Sequence, residues 1–159
     1  MPGTGLLWAN QPHPAAWHLL AALTAGLLPV ALAWGIVWMV PAGCDERGDH
    51  AVYVWTCLFP GILMRVPIVA APLLCAFHLT NLKLGRKLPD GWMVSVVGTG
   101  VVTYIVEIGG LILAMESAER ILFAADLFAL PQPFVAGALV GGVYAVALPV
   151  IRRLAQAGR

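Results

Sequence analysis

The chain has 159 residues, of which 60% are hydrophobic and only 11% are charged, and its mean hydropathy is +0.87. Soluble domains average about 45–50% apolar and about 25% charged residues, so this composition excludes a water-soluble fold. The net charge of +1 provides no basic surface for a nucleic acid. The sequence therefore predicts one integral membrane domain whose surroundings are the lipid bilayer.

Four long apolar stretches predict an all-α membrane protein, a four-transmembrane-helix bundle. A helix needs about 20 apolar residues to cross a hydrocarbon core of about 30 Å, and each stretch has about that length. The predicted spans are approximately residues 17–40, 62–82, 91–115 and 133–151.

Basic residues are concentrated on one side of the predicted bundle. Six lie in the loop 83–90 or after the last span, whereas the loops 41–61 and 116–132 together contain two, Arg47 and Arg120. The six are Lys83, Arg86, Lys87, Arg152, Arg153 and Arg159. Because cytoplasmic loops are enriched in Lys and Arg, we expect a multi-pass protein of the cell membrane with both termini in the cytoplasm. Loop 83–90 is then on the inner side, and the other two loops are on the outer side.

The apolar segment from Ala51 to Leu82 is too long for one straight span. Its 32 residues would form a helix of about 48 Å at 1.5 Å per residue. Pro60-Gly61 is the predicted break, which makes residues 51–59 an outer interfacial or re-entrant piece. The alternative is a single tilted and kinked helix that begins near Val54.

Acidic and apolar residues alternate at helical spacing over residues 116–130. This pattern is typical of an amphipathic helix that lies on the membrane surface, here the outer one. The alternative is that the third helix continues into water.

A stripe of polar residues runs along the third predicted helix. Ser95, Thr99, Thr103 and Glu107 recur every four residues, so they share one helix face. An acidic group at that depth is costly unless it is paired or protonated, and Arg65 in the second span is the nearest candidate for an ion pair. The stripe forms either a polar path that ends at Glu107 or a hydrogen-bonded seam between helices.

Two histidines are expected at the same depth near the inner side. His18 begins the first span, and His78 lies near the inner end of the second. Histidines on facing helices can ligate a b-type haem or a metal ion. The alternative is that both are ordinary interfacial side chains.

The cysteines divide into two groups. Cys44 and Cys57 fall in the first outer loop, where an oxidising environment favours a disulfide. Cys75 is alone inside the second span. Because there is no C-x-x-C pair, a structural bridge is favoured over a redox-active Cys44/Cys57 pair.

The fourth span contains a small-xxx-small pair, Gly137 and Gly141. Such a face lets two helices approach closely in lipid. The partner is either another helix of this chain, a second copy, or another membrane subunit.

No sequence motif names a reaction. The chain has no phosphate-binding glycine loop, no H-E-x-x-H and no G-x-S-x-G. Our first hypothesis is a non-enzymatic accessory or regulatory subunit, or a small homo-oligomer, without a cofactor. The alternatives are a transporter or channel along the stripe from Ser95 to Glu107, and a membrane oxidoreductase. The oxidoreductase would use haem at His18/His78 or the Cys44/Cys57 pair.

Overall fold

The structure is a computed structural model that describes residues 14–39, 54–84, 91–114 and 131–157. All of these residues except Leu84 and Pro131 are helical, and none of them lies in a strand. The four long helices are α1 (Pro14–Met39), α2 (Phe59–Lys83), α3 (Thr99–Ala114) and α4 (Gln132–Ala157). The described part of the chain is therefore all-helical.

Two π-helical turns lead without a break into α2 and α3. The first is Val54–Leu58, and the second is Val94–Gly98, which follows a short helical turn at Gly91–Met93. A π turn inserts an extra residue into the helical repeat and is often found at functional sites. The helical path on the α3 side thus runs from residue 91 to residue 114.

Three of the helices are long and apolar enough to cross a membrane. The apolar stretches of α1, α2 and α4 have 25, 25 and 26 residues, or about 37–39 Å at 1.5 Å per residue. The fourth apolar helical stretch, Val94–Gly110, is shorter. That it also crosses the membrane, as the sequence predicts, stays a prediction.

The packing is the reverse of that in a water-soluble protein. Large apolar side chains point outward, as at Leu27, Ile68 and Val146, which are 66–71% exposed. The buried core is instead rich in alanine, with Ala21, Ala25 and others close to fully buried. Without a hydrophobic force between helices in lipid, small residues at the contacts allow the close packing that holds them together.

Helix α4 is the central element of the bundle. It packs against α1, α2 and α3, and α1 also packs against α2. In contrast, α2 and α3 touch each other little. This leaves a groove between α2 and α3, which we call the α2–α3 groove.

The glycines of α4 lie against the start of α3. A methyl group at Gly137 would come within 2.6 Å of the Thr99 carbonyl oxygen, and one at Gly141 would collide with the Ser95 carbonyl oxygen. The small-xxx-small face is therefore covered by the same chain. Association with another subunit through it would require α3 to separate from α4.

The predicted break at Pro60-Gly61 is wrong. Helix α2 begins at Phe59, directly after the π turn Val54–Leu58, so the helical path continues through this point. Pro60 has no N–H to donate to the preceding turn, and that turn is the π turn, where the regular α-helical hydrogen-bond pattern is already interrupted. The alternative, a helix that begins near Val54, describes the structure.

Several predicted features fall on residues that the structure does not describe. These are the outer amphipathic helix at 116–130, most of the loops 41–61 and 116–132, the inner loop beyond Leu84, and Cys44.

Candidate functional site: the histidine pocket

All four helical segments contribute to a polar cavity at one end of the bundle. The start of α1, the end of α2, the π turn before α3 and the end of α4 meet there around a volume of about 380 Å³. We call this cavity the histidine pocket. Its lining residues are His18, His78, Asn81, Leu82, Trp92, Ser95, Tyr144, Ala145, Leu148 and Arg152.

Two histidines and a tyrosine form the centre of the pocket. The ring centroids of His18 and His78 are 5.9 Å apart, and the His78 ring stacks on Tyr144 at 5.0 Å. His18 Nδ1 lies 2.6 Å from the Tyr144 hydroxyl. These three side chains are buried, with exposed fractions of 3%, 8% and 1%. The structure thus brings together the two histidines that the sequence singled out.

Arg152 places a positive charge beside these rings. Its Nη2 donates to His18 Nε2 at 3.4 Å, and its guanidinium lies over the Trp17 ring at 5.6 Å from the centroid, within the range of a cation–π contact. Its Nε is buried and has no hydrogen-bond partner in the described structure. A buried N–H donor without an acceptor is rare in folded proteins.

These contacts determine which atoms carry protons. Arginine is always a donor, so His18 Nε2 must accept from Arg152, and a neutral His18 then carries its proton on Nδ1. His18 Nδ1 therefore donates to the Tyr144 oxygen. The Tyr144 hydroxyl proton remains available, and together with Arg152 Nε–H it gives the pocket two donors without acceptors.

A second hydrogen bond joins α2 to the π turn before α3. His78 Nε2 lies 3.0 Å from Ser95 Oγ. Ser95 is 2% exposed and sits in the π turn where Gly141 of α4 approaches most closely. The contacts of Ser95 with His78 and with Gly141 thus fix the relative positions of α2, α3 and α4.

A hydroxyl beside an imidazole also resembles the nucleophile and base of a hydrolase. That chemistry requires a third group that orients the imidazole. Glu107 is the single carboxylate among the described residues, and it lines the α2–α3 groove rather than this pocket. Within the described chain, the Ser95–His78 contact therefore matches the hydrogen bonds that hold membrane helices together.

The haem and metal hypothesis requires free ring nitrogens on His18 and His78. Both nitrogens of His18 and one of His78 contact protein groups, and the described residues contain no cluster of three metal-ligating side chains. A haem between His18 and His78 would have to replace these hydrogen bonds. This cofactor stays a prediction, and a Soret band in the absorption spectrum of the purified protein is the observation it requires.

The predicted polar stripe is turned toward the interior. Ser95, Thr99 and Thr103 are each at most 8% exposed, and Glu107 is partly buried. Ser95 lines the histidine pocket, whereas the other three line the α2–α3 groove. The stripe therefore connects two cavities.

Arg65 and Glu107 both line the α2–α3 groove, which has a volume of about 390 Å³. Arg65 Nε donates to the Gly61 carbonyl oxygen at 3.4 Å. No ion pair joins Arg65 to Glu107 in the described structure. The two charges share one groove, and their direct pairing stays a prediction.

The cysteine prediction is only partly covered by the structure. Cys57 lies in the first π turn, and its predicted partner Cys44 is outside the described residues. The two described cysteines, Cys57 and Cys75, are not bonded to each other, and Cys75 is a buried free thiol in α2. The Cys44–Cys57 disulfide stays a prediction.

Sequence reasoning missed two central residues of the pocket. It did not consider Tyr144 and used Arg152 only to orient the chain. Tyr144 is the single residue between Pro133 and Pro149 whose side chain forms hydrogen bonds. That isolation in an apolar helix is a signal that could have identified it.

No family model, curated protein or solved structure matches this chain. The site must therefore be interpreted from its own geometry.

Proposed function

We propose that this protein is a small polytopic membrane protein that binds an anionic group, a phosphate or a carboxylate, in the histidine pocket. The observation that carries the proposal is the buried Arg152 Nε–H, which has no acceptor in the described structure. An anion there would accept hydrogen bonds from Arg152 and Tyr144 together. Hydrogen bonds between charged groups are the strong ones in proteins.

The size and lining of the pocket support this class of ligand. Small-molecule sites occupy about 300–1,000 Å³ and combine apolar walls with a few convergent polar groups. The histidine pocket, at about 380 Å³, has room for a small organic acid or the phosphate of a lipid headgroup. Its described residues supply donors and a positive charge but no competing carboxylate.

Removing the charge of Arg152 tests the proposal. We expect phosphate to raise the melting temperature of the detergent-purified protein saturably, relative to chloride at equal ionic strength. Arg152→Gln should weaken the apparent affinity by about tenfold or more, since a hydrogen bond to a charged group contributes about 1.5–3 kcal/mol. A parallel titration in nanodiscs with phosphatidic acid distinguishes a lipid headgroup from a soluble anion.

Arg153→Gln is the matched control, because it removes the same charge from the next residue, which does not line the pocket. It should leave the affinity close to that of the natural protein. Equal losses in the two variants would assign the effect to general surface charge. Absence of saturable binding to either probe would contradict the proposal outright.

The finer architecture belongs to the same proposal. The α3 segment would form a fourth span beside the three apolar helices, with the histidine pocket at the cytoplasmic end and both termini in the cytoplasm. The six basic residues that follow α2 or the last predicted span in the sequence support this orientation. In a non-enzymatic accessory or regulatory protein of the cell membrane, the bound anion would be the signal or the stabilising ligand.

A transporter is the second candidate. Its support is the polar stripe, which joins the histidine pocket at Ser95 to the groove at Glu107. This candidate predicts pH-dependent flux in proteoliposomes that Glu107→Gln abolishes. Unchanged flux in that variant would exclude the path.

A further inference from the structure

We propose that the α2–α3 groove is a binding site for a phospholipid with a primary amine in its headgroup, phosphatidylethanolamine. The groove is a separate cavity of about 390 Å³ that lies between two helices with little mutual contact. Its walls are mostly apolar, with Val69, Leu73, Val102 and Val106 among them, and two charged residues, Arg65 and Glu107, also line it.

The length of the groove suits one acyl chain. Its α3 wall runs from Val94 to Glu107, a rise of about 20 Å at 1.5 Å per residue. Half of a hydrocarbon core of about 30 Å is about 15 Å. A groove of this length accommodates a lipid tail that crosses one leaflet.

The two charges specify the headgroup. Arg65 uses its Nε for the Gly61 carbonyl oxygen, which leaves its terminal amino groups for a phosphate. Glu107 forms no ion pair with Arg65 in the described structure, so its carboxylate can accept from an ammonium group. A zwitterionic headgroup offers both complementary charges, whereas isolated charges inside a membrane are costly.

The proposal separates two common zwitterionic lipids. The ammonium of phosphatidylethanolamine has N–H donors for Glu107, but the quaternary amine of phosphatidylcholine has none. Arg65 would bind the phosphate of either lipid, since a guanidinium matches phosphate geometry. The preference for the primary amine should therefore depend on Glu107 and the overall affinity on Arg65.

Native mass spectrometry of the detergent-purified protein, first delipidated and then mixed with each lipid, provides the test. We expect the protein to retain one phosphatidylethanolamine and to prefer it over phosphatidylcholine with the same acyl chains by about tenfold, as for one charged hydrogen bond. Glu107→Gln should remove that preference. Arg65→Gln should lower the retention of both lipids.

Two neighbouring valines provide a matched pair of variants. Val102 lines the groove and Val101 does not, yet both are substantially exposed, at 51% and 43%. Tryptophan at Val102 should fill the groove and displace the lipid, whereas Val101→Trp should retain it. Arg152→Gln should also retain it, which separates this site from the histidine pocket.

Three results would overturn the proposal. The first is equal retention of the two lipids by the natural protein. The second is equal retention of phosphatidylethanolamine by the Val102→Trp and Val101→Trp variants. The third is a dimer that only Val102→Trp dissociates, without any change in bound lipid, because the occupant would then be a second copy of the chain.

Discussion

At the scale of single residues, the histidine pocket is a hydrogen-bonded relay that begins at Arg152. Arg152 donates to His18, and His18 donates to the Tyr144 oxygen at 2.6 Å. Each link fixes the proton of the next, so the arginine charge determines where the tyrosine hydroxyl proton can go. A ligand that accepts hydrogen bonds from both Arg152 Nε–H and the Tyr144 hydroxyl would satisfy the two remaining donors.

Tyr144→Phe should weaken both the bundle and anion binding. The substitution removes the acceptor of His18 Nδ1 but keeps the ring that stacks on His78. We expect the free energy of unfolding to fall by about 1 kcal/mol, which is typical of one buried hydrogen bond. Unfolding in mixed detergent micelles with increasing dodecyl sulfate measures it.

Thr24→Val is the control for loss of a hydroxyl. Thr24 is exposed and donates only within its own helix, to the Leu20 carbonyl oxygen. Its removal should change the unfolding free energy by a few tenths of a kcal/mol at most. If Tyr144→Phe were as mild, the contact with His18 would contribute nothing.

The sequence could place His18 and His78 at one depth because depth follows from counting residues along helices. It could not place Tyr144 and Arg152 beside them. Which side of α4 faces those histidines depends on how closely the helices approach, and that is set by Gly137 and Gly141 against α3. The sequence therefore predicts the depth of the site in the bundle but not the full set of residues that form it.

At the scale of helices, the contact between α4 and the π turn Val94–Gly98 controls the pocket. Gly141 faces the Ser95 carbonyl oxygen without room for a methyl group, and the Ser95 side chain contacts His78. Ser95 therefore contacts α4 through its backbone and α2 through its side chain. The packing of α4 on this turn and the hydrogen bond to α2 thus depend on the same residue.

Gly141→Ala should destabilise the bundle, whereas Gly142→Ala should not. A methyl group at Gly142 would meet its nearest neighbour, Val96 Cγ2, at 3.9 Å, which is ordinary contact. We expect Gly141→Ala to cost about 1–3 kcal/mol, as overpacking typically does. Thermal unfolding of both variants measures the difference. Equal stabilities would mean that α4 does not approach Ser95 this closely.

The ends of the helices show what hydropathy can and cannot predict. Apolar length indicates where helices lie, because lipid favours continuous helical backbone. It did not reveal the two π turns, or that α4 continues to Ala157, beyond the predicted end near residue 151. Such features depend on hydrogen-bond register and neighbouring helices rather than on hydropathy.

At the scale of the whole molecule, the charged residues of the described chain are unevenly distributed along the bundle. The end with the histidine pocket is polar and carries Arg152 and Arg153 on the last turns of α4. Farther along the bundle, Arg65 and Glu107 line the α2–α3 groove. This uneven distribution of charge supports the proposed orientation, in which the end with the histidine pocket faces the cytoplasm.

The basic residues between α2 and α3 should determine that orientation. We expect a reporter that is active only in the cytoplasm to be active when fused after Arg159. Joint substitution of Lys83, Arg86 and Lys87 by Gln should lower its activity, because these charges resist translocation. Joint substitution of Arg47 and Arg120 by Gln should not. An inactive fusion to the natural chain would reverse the predicted topology.

The π turn Val94–Gly98 also makes the chain sensitive to its exact length. Each residue of an α-helix advances the chain by about 100°, and a π turn holds one residue more than the regular repeat. Inserting one further residue between Ser95 and Thr99 would rotate α3 by about that angle relative to Ser95. Thr99 and Thr103 would then turn away from the glycines of α4, although every helix-forming residue remained. In this segment, natural variants should therefore tolerate exchanges of side chain far better than insertions, whereas loss of one residue would convert the π turn into a regular helical turn and keep the register of α3.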